Sequence, residues 1–93
     1  MKRAALALVL LTGACAATPT PTRNELAEAL QASGAPVADP EDLTHIACEA
    51  AAAPGEVACR WRQREGRQWH GWQSHLALSN AGWRLIGAPA RRP

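Results

Sequence analysis

A chain of 93 residues with a formal net charge of +2 has room for one small domain. Hydrophobic residues make up 47%, yet 21 positions are Ala, Phe and Tyr are absent and Trp occurs 4 times, so any core is thin. Length alone excludes long repeats, a large multi-layer enzyme core and a transmembrane bundle. Three cysteines leave one without an internal partner.

The leader comes first. Lys2 and Arg3 form a positive start, and Ala4 to Leu11 (AALALVLL) is an unbroken apolar run. A spanning helix needs roughly 20 such residues, so the run fits the apolar segment of a secretory signal peptide. Leu11-Thr12-Gly13-Ala14-Cys15 follows. These residues resemble the lipobox of bacterial lipoprotein precursors, with Thr12 where such boxes carry leucine. The resemblance covers the leader only. It implies that residues 1–14 are a signal peptide, and that Cys15 is lipidated on sulfur and becomes the mature N-terminus. Ala16 in the next position then implies outer-membrane sorting by analogy with that class. The rival is ordinary cleavage at Ala14-Cys15-Ala16, an A-x-A site that gives a soluble periplasmic or secreted protein. Both remove Cys15 from the disulfide count, and lipidation is the favoured reading.

Residues 15–22 read as the lipid-attachment cysteine and an extended tether, since AATPTP is small and punctuated by proline. Residues 23–88 read as a small α+β domain, and residues 89–93 as a flexible tail. Thr22-Arg23-Asn24-Glu25 matches a capping box. It predicts a helix over about 23–33, with Leu26 and Leu30 on one stripe and Gly34 as the stop.

Residues 39–53 admit helix or strand. Asp39-Pro40-Glu41-Asp42 starts a helix well, whereas Leu43 to Cys48 also reads as a strand. Pairing Cys48 with Cys59 across an antiparallel hairpin decides for strand, because Ile46 then faces Trp61 on the cysteine side. A short helical turn stays near 39–42. Val57 to Arg64 alternates strictly, with Glu65-Gly66 as a turn and Arg67 to Leu78 as a third strand. Matching Arg64 to Arg67 puts Trp72 opposite Cys59 and Trp69 opposite Arg62. After Ser79-Asn80-Ala81-Gly82, Leu78 pairs with Trp83 and Leu76 with Leu85. One parity thus runs through four strands. The inner face is Ile46, Cys48, Cys59, Trp61, Trp72, Leu76, Leu78, Trp83 and Leu85, covered by the helix. The expected fold is α+β, an N-terminal helix packed on an antiparallel sheet of about four strands, closed by a Cys48–Cys59 disulfide. An exported domain with a thin core gains from such a staple.

No catalytic motif is present, neither G-x-S-x-G, a phosphate loop nor HExxH. In this register His70 lies on the face opposite His45 and His75. His45 and His75 sit about 20 Å apart along the strands, at about 3.3 Å per residue, so no single metal joins them. Two cysteines without a CxxC are a poor zinc set. Glu41 and Asp42 read as helix-start charges. No metal and no cofactor is implied.

The outer face is richer. Arg60, Arg62, Trp69, His75 and Arg84 form a candidate binding face, with Arg64, Arg67, Gln73 and Ile86 beside them and Gly71 as a dip opposite Arg60. Arg and Trp together are a common binding composition. The plainer reading is a solvated sheet face whose arginines keep it soluble. Nucleic acid is disfavoured, because the basic excess is local and the protein is exported. The leading expectation is a lipid-anchored, non-enzymatic envelope module that reaches the membrane through its N-terminal lipid and binds an envelope protein or anionic ligand. The alternatives are a small enzyme using His45 or His75 as base, and an accessory lipoprotein that buries Trp69 and Ile86 in a larger complex.

Charge separates along the chain. Lys2 and Arg3 carry the whole +2, so the chain from Cys15 onward is neutral. Residues 23–57 hold one Arg and seven acids, whereas residues 58–93 hold seven Arg and one Glu.

Overall fold

The computed structural model describes residues 18–34 and 39–93. The signal peptide and the lipidation of Cys15 lie outside the described residues.

Helix α1 spans Arg23–Ala32 and starts as the capping box requires. The Thr22 amide donates to Glu25 Oε1 at 2.8 Å, and the Glu25 amide donates to Thr22 Oγ1 at 3.1 Å. At the other end Ser33 caps and Gly34 takes a positive φ of 83°. Leu26, Ala27, Ala29 and Leu30 are buried, which is the apolar stripe read from their spacing.

A short 3₁₀ turn, Pro40–Asp42, precedes strand β1, Leu43–Ala50. Strands β2 (Glu56–Glu65), β3 (Gln68–Ser79) and β4 (Gly82–Leu85) follow. The last strand is β5, Ala90–Arg91. All pairings are antiparallel, in the order β1-β2-β3-β4, with β5 also on β3. Strands β4 and β5 lie end to end along one edge of β3, because Leu76–Ser79 pair with β4 and Trp72–Gln73 pair with β5. Ala90 and Arg91, within the segment 89–93 read as a tail, thus pair with β3. The register shifts by two residues between Leu85 and Ala90, which keeps parity and returns the chain to the sheet. The Arg92 amide adds a further bond to the Gly71 carbonyl at 2.8 Å.

Cys48 pairs with Cys59 and the two form a disulfide, with Cα atoms 4.1 Å apart. Leu43, Val57, Cys59, Trp61 and Leu76 join the buried residues of α1 in one cluster, with Ile46, Cys48, Trp72, Trp83 and Leu85 packed against it. Two buried polar groups are satisfied inside it. Gln63 Oε1 accepts from Trp61 Nε1 at 3.2 Å, and Ser74 Oγ donates to the Gly87 carbonyl at 3.1 Å.

Two registers and one burial differ from expectation. First, β1 carries a bulge. Ala47 pairs with Arg60 but Thr44 pairs with Arg62, so His45 and Ile46 together span the position opposite Trp61. His45 is the only non-glycine among the described residues with positive φ, at 53°. The extra residue turns Leu43 inward, where it is fully buried opposite Gln63. Second, the β2–β3 hairpin closes at Glu65–Gln68, so Trp72 faces Trp61 rather than Cys59. Gly66 is the first residue of the two-residue loop and has φ 67°, the placement a type II′ turn favours. Third, Leu78 keeps its inner parity opposite Trp83 yet is 53% exposed, outside the buried cluster to which α1 contributes.

Candidate functional site

Alternation places Arg60, Arg62 and Arg64 of β2 opposite to the buried Val57, Cys59, Trp61 and Gln63. On β3 the same outer face carries Trp69, Gly71, Gln73 and His75, and on β4 it carries Arg84. All five candidate residues, Arg60, Arg62, Trp69, His75 and Arg84, are exposed. They do not form one site. Arg62 and Trp69 converge, whereas His75 pairs with Ala58 and Arg84 with Ala77 at the far end of the strands. Six residues separate Trp69 from His75, about 20 Å at the usual strand rise.

The two-residue register shift changes the partners around Trp69. Arg64, rather than Arg62, is its cross-strand neighbour. The Arg64 guanidinium lies 5.7 Å from the indole centroid, a cation–π distance. Asp42 fixes that guanidinium, with Oδ1 accepting from Arg64 Nη2 at 2.7 Å and from Nε at 3.0 Å. Half-exposed on the arginine side, this pair is worth at most about 1 kcal/mol. Its effect is positional, since it holds one wall of the indole in place. Arg62 falls opposite Gly71 and donates from Nη2 to the Trp69 carbonyl at 3.4 Å.

Gly71 is no dip beside Arg60, as the sequence suggested. Its missing side chain makes room for Arg92, whose Cβ would stand 3.4 Å and Cδ 3.6 Å from a Cβ at Gly71. The return of β5 to the sheet thus lays another arginine across the outer face. Arg64 and Arg62 flank one half-exposed tryptophan, Trp69 at 36% exposure, while Arg92 lies beside Gly71 and Arg60 stands further along β2, opposite Gln73. Ion pairing reaches only Arg64 in this group, among the described residues.

The bulge in β1 completes the site. Thr44, His45, Arg62 and Trp69 line an open depression of about 260 Å³. The structure places His45 against that indole's depression. Nothing in the local sequence marks the bulge that aims it there. Bulges often re-aim a side chain next to a functional surface.

A second cluster sits on the inner face at the hairpin end. Glu65 Oε2 accepts from Trp72 Nε1 at 2.8 Å, and Glu65 Oε1 lies 3.8 Å from Arg91 and 3.9 Å from His70. The Arg91 guanidinium lies 5.7 Å from the Trp72 centroid. These contacts tie β5 to the hairpin and account for the ordering of the chain end. A groove of about 670 Å³ runs from Ser33 and Gly34 over Trp72 to Pro89, on the helix side of the sheet and away from the outer arginines.

Comparison with known families, with curated proteins and with solved structures finds no match for this chain, so the reading of its function rests on its own residues.

Proposed function

We propose that the protein is a lipid-anchored, non-enzymatic binding module of the bacterial cell envelope. Its outer sheet face engages an anionic envelope partner, a protein or other acidic ligand, and its N-terminal lipid at Cys15 holds it at the membrane. The observation that carries this reading is the outer-face row of Arg60, Arg62 and Arg64, with Arg64 stacked on the half-exposed Trp69, Arg62 bonded to its carbonyl and Arg92 laid beside Gly71. Arginine gathered beside tryptophan is the composition of binding hot spots. A solvated sheet face needs no such gathering, and here the end of the chain folds back to add to it. The rival enzyme reading would need a base in an enclosed cleft. His45 borders only an open depression, and His75 is exposed on the strand.

The test is the double substitution Arg62→Ala with Trp69→Ala. Both side chains lie outside the buried cluster, so the circular dichroism spectrum and melting temperature should hold. Recovery of the partner from envelope extracts should be lost. Unchanged recovery would overturn the proposal.

A further inference from the structure

Around the depression beside Trp69, hydrogen-bonding groups outnumber their internal partners. Thr44 brings a hydroxyl, His45 an imidazole and Arg62 a guanidinium, and the indole of Trp69 forms the wall. Among the described residues the side chains of Thr44 and His45 make no hydrogen bond within the protein, and Arg62 makes only its 3.4 Å bond to the Trp69 carbonyl. His45 reaches this place through a backbone conformation that a non-glycine residue seldom adopts, φ 53° in the bulge. Strain of that kind persists where the surrounding structure imposes it, and it gathers at ligand-contacting positions. The Arg64–Asp42 pair holds the indole from the side, so the wall is pre-formed.

From this arrangement we infer that the depression is a subsite for one residue of an acidic saccharide. This rests on the proposed binding role of the outer face and names its ligand class. The apolar face of a sugar ring lies against the indole of Trp69. Its acid group pairs with Arg62, whose planar fork matches an oxyanion. Ring hydroxyls exchange hydrogen bonds with Thr44 and His45. The depression, about 260 Å³, has room for a single sugar ring. The flanking Arg60 and Arg92 extend the positive charge on both sides, which suits a polymer whose acid groups repeat.

The test uses the mature protein purified in detergent and follows the indole N–H resonances by NMR. Three probes are titrated separately: a hexuronate trisaccharide, its uncharged hexose counterpart and inorganic phosphate. The hexuronate should shift one indole resonance saturably, the one that vanishes in Trp69→Ala. Arg62→Ala should weaken this binding at least tenfold, and Arg67→Ala in the hairpin loop should leave it unchanged. His45→Gly should weaken it severalfold without lowering the melting temperature, which separates lost ligand contacts from misfolding. A response to the uncharged sugar equal to that of the hexuronate, or a response to phosphate equal to it, would overturn the assignment. No indole response to hexuronate would overturn it as well. The wider face reading is judged separately, by partner recovery with the double variant. Loss of partner there, beside silence toward hexuronate here, removes the saccharide and keeps the face.

Discussion

His45 is the residue at which structure and proposed function are most tightly joined. Its left-handed backbone costs about 1–2 kcal/mol for a residue with a Cβ. Glycine removes that strain and returns part of the gain as chain entropy, about 0.5–1 kcal/mol. His45→Gly should therefore leave the domain as stable or raise its melting temperature by a few degrees, at about 4–8 °C per kcal/mol for a domain of this size. Thermal unfolding followed by circular dichroism checks this, and a drop of several degrees would show that the imidazole is held for packing instead. Trp69 was legible as an exposed aromatic among arginines because a period of two fixes which face it occupies. Its true neighbour, Arg64, was not. Moving the loop by one residue on each strand changes every partner by two and leaves every face as it was.

At the scale of elements, the legible parts are those with a local chemical cause. The capping box of Thr22 and Glu25 starts α1 where it must, and Gly34 ends it. The alternation of β2 gives its buried face residue by residue. The bulge in β1 has no such signal, because Thr44, His45 and Ile46 read equally well as a regular strand. It is imposed from outside, by Leu43 filling the core beside α1 while Cys48 stays opposite Cys59. Strand β5 was hidden for a related reason. Two residues cannot announce a strand, and its attachment depends on Glu65 and Trp72, far away in sequence. The disulfide joins β1 to β2 and closes a 12-residue loop, worth about 3 kcal/mol by chain entropy. Replacing Cys48 and Cys59 together by Ala should lower the unfolding free energy by about that amount in urea titrations. A loss under about 1 kcal/mol would mean that the thin core holds the hairpin without it.

At the scale of the whole molecule, neutrality conceals a division that folding makes spatial. The seven arginines of residues 58–93 include Arg60, Arg62, Arg64 and Arg92 of the outer face, while Asp42 is brought from the acidic segment to hold Arg64. Glu49 and Glu56 fall near the other end of the outer face, at the pairs Glu49–Ala58 and Glu56–Ala77. The face is thus polarised along its strands, with the positive end at Trp69. The proposed anchor sets where that face can work. The tether of residues 15–22 spans at most about 25–30 Å when extended, so a lipidated domain stays close to the bilayer. Cys15→Ser should move the protein from the membrane fraction to the soluble periplasmic fraction. Retention in the membrane would contradict anchoring through that thiol.

Site-specific photo-cross-linking in intact cells tests the outer face most directly. A photoreactive residue is placed at Gln73, exposed on the outer face opposite Arg60, and separately at Leu78, exposed with inner-face parity. An adduct of defined mass should form from position 73, vanish when Arg62 and Trp69 are both replaced by Ala, and be absent from position 78. No adduct from position 73, or an equal adduct from position 78, would contradict the outer face as the binding surface.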